Sequence, residues 1–418
     1  MGLFDTLAIL ITLAAAFSYV NHRWLRLPMT IGLMSISLVG SLALIGLHEV
    51  GFPLDEPVEA MLVQIDFDRA LLEGMLSFLL FAGALHVNLD DLAEHGIVIG
   101  VLATLGVLVS TVLVGLAMYA GVELLALPLS LGFCLVFGAL ISPTDPIAVL
   151  SILKKAGAPK ALETKITGES LFNDGVAVVV FVLLVEIFVR GHHVSLGHGV
   201  MLFAEEAGGG LLLGLALGAL SYWLLKAVDD RHVEVLVTLA LVMGGYSLAM
   251  WWHLSGPIAV VVAGLFVGNH GRRLAMSERT RAALDTVWEF LDEMLNAVLF
   301  VLIGLEVLVV RLSVPLLLAG GIAIGASLLA RYVAVAVPVA LLGRFRRFAP
   351  HTTKLLVWGG LRGGISVALA LSLPPGSERE AVLTMTYVVV VFSILVQGLT
   401  IGRVAARAAR QAAEQQSR

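Results

Sequence analysis

Apolar blocks of roughly 18–25 residues recur from one end of this chain to the other, broken by short polar or basic connections. That length is what a helix needs to cross the hydrocarbon of a bilayer. Lipid offers no partners to backbone N–H and C=O groups, so spans of this kind are helical. Of the 418 residues 59% are hydrophobic and 14% charged, with mean hydropathy +0.98. A water-soluble chain of this size needs far more polar surface to cover its core. The sequence predicts an all-α polytopic membrane protein with thirteen spans, at roughly 3–20, 29–47, 70–87, 96–119, 128–152, 164–189, 200–226, 232–250, 256–269, 285–310, 314–342, 352–372 and 380–401.

The distribution of charge decides orientation, and the net charge of −5 says little. Segments after the odd-numbered spans, with the tail, hold 20 of the 26 Lys and Arg. They cluster at Lys154, Lys155, Lys160 and Lys165; at Arg272, Arg273, Arg279 and Arg281; at Arg344, Arg346, Arg347 and Lys354; and in the tail. Even-numbered connections hold Arg69, Arg190, Arg311 and Arg379. The positive-inside rule then puts the N-terminus outside and the C-terminus in the cytoplasm. The connection 88–95, NLDDLAEH, carries no basic residue and is the weak point of the count. The opening MGLFDTLAILITLAAAF lacks a basic leader and runs into NHRWLR, so it reads as a first span and not a cleaved signal peptide. Its MGxxxT pattern is read as a chance match to a myristoylation signal, since a chain anchored many times gains little from a lipid. The longest gap is about 20 residues (48–69), and the tail RVAARAARQAAEQQSR reads as a basic helix along the cytoplasmic surface. Cys134 is the one cysteine, which excludes an intrachain disulfide.

Two places break the helical pattern. ISPTDPIAV in the fifth span contains Pro143 and Pro146, which deprive the carbonyls of Ala139 and Ser142 of helical partners, and Asp145 stands at that break. GGLRGGISVALA in the twelfth sets four glycines around Arg362. Interrupted helices at corresponding positions of two halves mark secondary transporters built from inverted repeats, although no residue-level repeat is visible here. GGGLLLGLALG in the seventh span reads differently, because Gly210, Gly214 and Gly218 at a spacing of four make a packing ridge.

The sixth span contains GESLFNDGVAV, residues 168–178. On a helix Glu169 and Asn173 share one face and Ser170 and Asp174 the adjacent one, so all four are expected to border one cavity. A charge at mid-bilayer costs on the order of 2.5–3.5 kcal/mol. Left unpaired, Asp145, Glu169, Asp174, Arg331 and Arg362 would together cost on the order of 10 kcal/mol. A purely structural set of ion pairs is one reading. The other uses the leftover acid: burial disfavours its charged form, so it takes a proton or a small cation but not both together. Carboxylate, hydroxyl and carbonyl oxygens suit a hard cation. No phosphate loop, nucleotide motif or redox site appears, so an ion gradient must supply the energy, and competition for one carboxylate suffices for cation/proton exchange.

GESLFNDGVAVV, SPTDPIAVLSILKK, GGLRGGISVALALSLP and the closing VQGLTI resemble, in order along the whole chain, the monovalent cation:proton antiporters of the NhaP and eukaryotic sodium/proton exchanger type. The resemblance implies inverted six-helix repeats with crossing broken helices, and a homodimer working by an elevator-like movement. It implies a core domain from about 70–189 and 285–401, a dimerisation domain from about 1–69 and 200–269, and a tail at 402–418. Asp174 would be the carboxylate shared by cation and proton, with Asn173 beside it. Ser170, Asp145 and the Thr144 backbone would complete the shell around Na+, Li+ or K+. Glu169 would form a buried ion bridge with Arg331, and Arg362 would neutralise the break of the twelfth span. The Asn-Asp pair resembles the electroneutral branch, exchanging one cation for one proton. No resident cofactor and no nucleic-acid partner is expected. Many relatives carry a glutamate in the third span where LLFAGALHVNL has Ala82; His86 one turn later is either a proton-responsive substitute or a satisfied surface histidine.

Other polar residues read more plainly. Glu289, Asp292, Glu293 and Asn296 fall in the first three turns of the expected tenth span, as a solvated helix start or a funnel for cations, and Glu306 near its other end is ambiguous. His192, His193 and His198 read as surface histidines, and Trp251 and Trp252 as an outer aromatic belt. A channel would share the carbonyl-lined break but not the fixed carboxylates. A membrane hydrolase would need a base beside Ser170, which has acids and an amide for sequence neighbours and no G-x-S-x-G elbow.

Overall fold

The computed structural model describes residues 3–416 apart from 53, 56–57, 60–61, 63–69, 147–148, 151, 154–159, 192–195, 345–347 and 349–350. Arg69, Lys154, Lys155, His192, His193, Arg346, Arg347 and Arg418 lie outside the described residues, as do the side chains of His198 and Arg410. The described residues form helices and no strand beyond one isolated bridge. In chain order they are α1 (Leu3–Val20), α2 (Met29–Glu49), α3 (Leu76–Leu85), α4 (Leu89–Ala103), α5 (Leu105–Leu124), α6 (Leu131–Ile141), α7 (Lys160–Leu184) and α8 (Leu196–Ala227). There follow α9 (Arg231–Trp251), α10 (Gly256–Phe266), α11 (Glu278–Leu305), α12 (Val314–Leu342), α13 (Thr352–Trp358), α14 (Gly364–Leu371), α15 (Ser377–Phe392) and α16 (Gly398–Gln416).

Polar side chains set the helix starts where the apolar pattern alone would not. Asn88, Ser130, Asp230, Ser255 and Ser277 each accept a hydrogen bond from a backbone N–H of the following first turn. Two of these caps move expected boundaries. The cap at Asn88 makes NLDDLAEH the first turns of α4 and not a connection, and α4 runs on through Thr104 into α5. The cap at Ser277 starts α11 well before residue 285. Glu289, Asp292 and Glu293 therefore lie in its interior, and the dipole argument for acids at a helix start falls away. The tail is helical, but as a continuation of α15 through a wide π turn (Ser393–Gln397), with Ile401 and Ala405 buried.

Eight helical stretches among the described residues are long and apolar enough to cross a membrane, and α3 and α6 are shorter apolar helices. The five expected spans outside these eight fall on the short α3, on the broken α6 and α13–α14, and on α10 and α11, where polar or charged residues lower the hydropathy. Large apolar side chains stand exposed along α1, α8 and α9, among them Phe4, Leu212, Trp223, Leu236, Trp251 and Trp252. Such a surface belongs in lipid and its interfacial belt.

Packing sorts the helices into two groups. α4 lies against α7, α5 against α6 and α12, and α12 and α14 against α15. On the other side α8 and α9 pack on α10, α3 on α10, and α11 on α2 with α1, α9 and α3. The glycine ridge of α8 is the seam with α10: a methyl on Gly214 would stand 2.5 Å from the carbonyl oxygen of Ala259 and 2.8 Å from Cβ of Val262. Gly208 on the same helix is exposed and has nothing within 4 Å. Gly214→Leu is expected to destabilise the solubilised protein by about 1–3 kcal/mol, seen as a lower melting temperature, whereas Gly208→Leu leaves the melt near wild type.

Candidate functional site

The two breaks cross each other. α6 stops at Ile141 because neither Pro143 nor Pro146 can donate to the turn before it. The carbonyl of Ala139 is rescued by the N–H of Ser142 at 3.2 Å, a tighter turn. The carbonyls of Ser142 and Pro143 are taken by the Arg362 guanidinium, the second at 2.8 Å. Arg362 thus sits in the break of the twelfth span but neutralises that of the fifth, where the C-terminal end of α6 gathers negative partial charge. Its own N–H donates to Ser393 Oγ at 2.8 Å. The extended segments meet backbone to backbone, the N–H of Asp145 donating to the carbonyl of Leu361 at 2.8 Å in an isolated antiparallel bridge.

Glycine is required twice here. A methyl on Gly363 would come within 2.5 Å of Asp145 Oδ2, and one on Gly360 within 2.7 Å of Arg331 Nε. Both positions let a charged side chain lie flat against the crossing chain.

α7 carries two chemistries on two faces. Ser170 and Asp174 line a cavity of about 660 Å³ together with Thr144 and Asp145. Glu169 and Asn173 do not: they turn away from it, toward Ser142, Gly106 and Arg331. The expectation of a single shared cavity is corrected, because adjacent helix faces diverge by about a quarter turn and the break passes between them. Glu169 and Arg331 form a two-pronged ion pair, the second contact at 3.0 Å, and Arg331 also donates to the carbonyl of Leu356 at 3.0 Å. Asn173 holds Thr144: its Nδ2 donates to Thr144 Oγ1 at 2.9 Å, and its Oδ1 accepts from the Thr144 N–H at 3.4 Å. Thr144 Oγ1 lies 3.0 Å from Ser170 Oγ. Asp174 is 6% exposed, and among the described residues no cation pairs with it.

The opposite wall comes from α3 and α11. Ala82 presents a methyl to the cavity, beside Leu76, Leu80 and Leu299. Glu289, Asp292, His86, Asp91, Lys160 and Glu163 also line the cavity, and the exposed Glu289, His86 and Lys160 mark its mouth. Lys160 pairs with Asp91 at 2.7 Å, and Asp292 accepts from Asn296 Nδ2 at 3.1 Å. Glu293 is not among the lining residues, and Glu306 is buried at the far end of α11. Sequence reasoning missed Ser366 of α14, which lines the cavity with a buried hydroxyl that has no partner among the described residues. Its signal was the offset of three from Gly363 at the start of a helix.

A water-accessible cavity that ends on two carboxylates where two interrupted membrane helices cross is the site of a secondary transporter. The family model described as sodium/hydrogen exchanger, transmembrane, matches residues 9–407, and the chain belongs to that family. The Na(+)/H(+) antiporter NhaP of Pseudomonas aeruginosa is 50% identical over 403 residues, 95% of each chain. The Na(+)/H(+) antiporter NhaH of Halobacillus dabanensis is 37% identical over 403 residues, 94% of this chain and 95% of that one. The solved structure of the sodium proton antiporter MjNhaP1 from Methanocaldococcus jannaschii superposes with a TM-score of 0.77 over 98% of this chain and 99% of that one; at 19% identity it shows a shared fold.

Breaking the ion pair separates its parts. Arg331→Ala leaves Glu169 buried without its counter-charge and is expected to destabilise the protein by about 3–5 kcal/mol. The double variant Glu169→Leu/Arg331→Met removes both charges and is expected to recover most of the lost melting temperature.

Proposed function

We propose that this protein exchanges a monovalent alkali cation, Na+ or Li+ with K+ as third candidate, for H+ across the membrane. Asp174 is the carboxylate both ions use. The observation that carries this is the contrast within one helix: Glu169 is committed to Arg331, while Asp174, buried on the cavity, has no basic partner among the described residues. Burial raises the cost of a bare charge there, so the group is neutralised by a proton or a cation in turn. Asp145, Ser170 and Thr144 supply further oxygens around it, chemistry suited to a hard monovalent ion. Asn173 keeps Thr144 in place, and the family membership and the names of the relatives support the same exchange.

One carboxylate trading one proton for one monovalent cation moves no net charge, so the exchange is electroneutral. The basic connections support an outside N-terminus and a cytoplasmic C-terminus. The cavity mouth, at the end of the bundle that carries Lys160 and Glu163, then faces the cytoplasm. The bacterial relatives support an inner-membrane location, and exchange of a cation for H+ suits a role in pH homeostasis. Packing supports a division in which α3 and α11 belong with α1, α2 and α8–α10 as a dimerising frame. The moving part is then α4–α7 with α12–α16, narrower than the boundaries read from sequence, and alternating access is its displacement along the frame in each half of a homodimer.

Cation-induced proton release from everted vesicles, scanned over Na+, Li+ and K+, tests the reading. Asp174→Asn is expected to abolish exchange for all three; full activity in that variant would refute the assignment. An imposed membrane voltage is expected to leave the wild-type rate unchanged, and a clear response overturns the one-for-one stoichiometry.

A further inference from the structure

His86 stands at the mouth of the cavity with one ring nitrogen committed and the other unused. Nδ1 lies 2.9 Å from the carbonyl oxygen of Ala82. A carbonyl only accepts, so this nitrogen carries a proton whether the ring is neutral or charged. In the neutral ring Nε2 then holds a lone pair. It faces Asp285 Oδ1 at 3.7 Å, and that oxygen is buried without a hydrogen-bond partner. The other oxygen of Asp285 is held by Arg272, whose guanidinium also donates to the carbonyl of Leu85 at 3.4 Å. Two acceptors therefore confront each other across a gap just too long for a hydrogen bond. One proton on Nε2 turns the confrontation into a charge-assisted bond and satisfies the orphan oxygen. The other charged groups that line this part of the cavity are Glu289 and Asp292 on α11, Glu163 on α7 and Asp91 on α4, the last already paired with Lys160.

We propose that His86 is a proton-operated charge at the cavity mouth that opposes cation access from this side when protonated. The proposal rests on the antiport reading of the cavity. With the ring neutral, Glu289 and Asp292 leave the mouth acidic and draw a cation inward. With the ring protonated and closed on Asp285, a positive charge stands on the path to Asp174. Protons then act at two places, by competing for Asp174 and by weakening access to it, so cation affinity falls more steeply on acidification than one competing carboxylate allows.

The test is sodium-dependent proton release in everted vesicles from about pH 6 to 8.5, with KM and maximal rate read separately. In the wild type KM for Na+ is expected to rise on acidification. His86→Gln should flatten that rise, lowering KM at the acid end on the order of five-fold, the effect of one nearby charge in a hydrated mouth, with the maximal rate unchanged. His86→Arg should carry the high KM to the alkaline end. An identical KM profile in wild type and His86→Gln overturns the proposal, and so does a normal alkaline KM in His86→Arg. Should His86→Gln fail to accumulate in the membrane, Asp285→Asn reads the same contact, because it removes the oxygen on which the protonated ring closes, and an unmoved KM profile overturns the proposal. Asp174→Asn run in parallel keeps the two readings apart, since residual exchange in that variant sinks the carrier assignment whatever His86 does.

Discussion

A helix interrupted inside a membrane exposes backbone groups that lipid cannot satisfy, and here two such interruptions lie against each other. Each supplies what the other lacks. The chain before α14 contributes a carbonyl for the Asp145 N–H and a guanidinium for the carbonyls that the prolines orphan at Ser142 and Pro143. That exchange holds Thr144 and Asp145 in extended backbone on the wall of the cavity, where a continuous helix would have turned them into a packed face. Removing the Arg362 charge would expose the end dipole of α6 beside two acids. The position of the carboxylates is therefore a consequence of backbone satisfaction, and the chemistry follows from where they are held.

The Glu169–Arg331 pair has a complementary part. It joins α7 to α12 on the side away from the cavity, and through the carbonyl of Leu356 it reaches α13, which leads into the second break. A buried pair of this kind contributes little net stability, yet it is expensive to break on one side only. Its value lies in committing Glu169, which on the proposed reading leaves Asp174 as the buried acid of α7 that changes its charge.

Much of this was legible in the sequence, for physical reasons that also explain what was not. Spans are set by bilayer thickness, so their approximate places follow from apolar length alone. Pro143, Pro146 and the glycines around Arg362 announce breaks because they cannot do otherwise, and an aspartate in such a place has few structural uses. What the pattern lacks is direction in three dimensions. Glu169, Ser170, Asn173 and Asp174 are close in sequence, but which face meets the cavity depends on where the fifth span breaks, and Asn173 turned out to hold Thr144 instead. The partner of Arg362 lies some 220 residues away, beyond the reach of local reasoning. The starts of α4 and α11 were misplaced because single polar caps at Asn88 and Ser277 outweigh a drop in hydropathy.

The wall facing the carboxylates explains why the proposed exchange is coupled. From α3 and α11 it presents Leu76, Leu80, Ala82 and Leu299 to the site. A bare carboxylate moved along such a surface leaves water without gaining a partner, at a cost on the order of 2.5–3.5 kcal/mol by membrane-insertion scales. Asp174 bearing a proton, or a cation shared with Asp145, Ser170 and Thr144, carries no such penalty. The apolar wall therefore admits the two loaded states and rejects the empty one, which is the condition for exchange without leak. A glutamate at position 82 would set a like charge beside the bare carboxylate and add an oxygen for the cation, so Ala82 leaves the rejection to desolvation alone and the cation with one fewer oxygen. On the proposed reading the wall enforces exchange, and the choice among cations falls to the oxygens of Asp174, Asp145, Ser170 and Thr144.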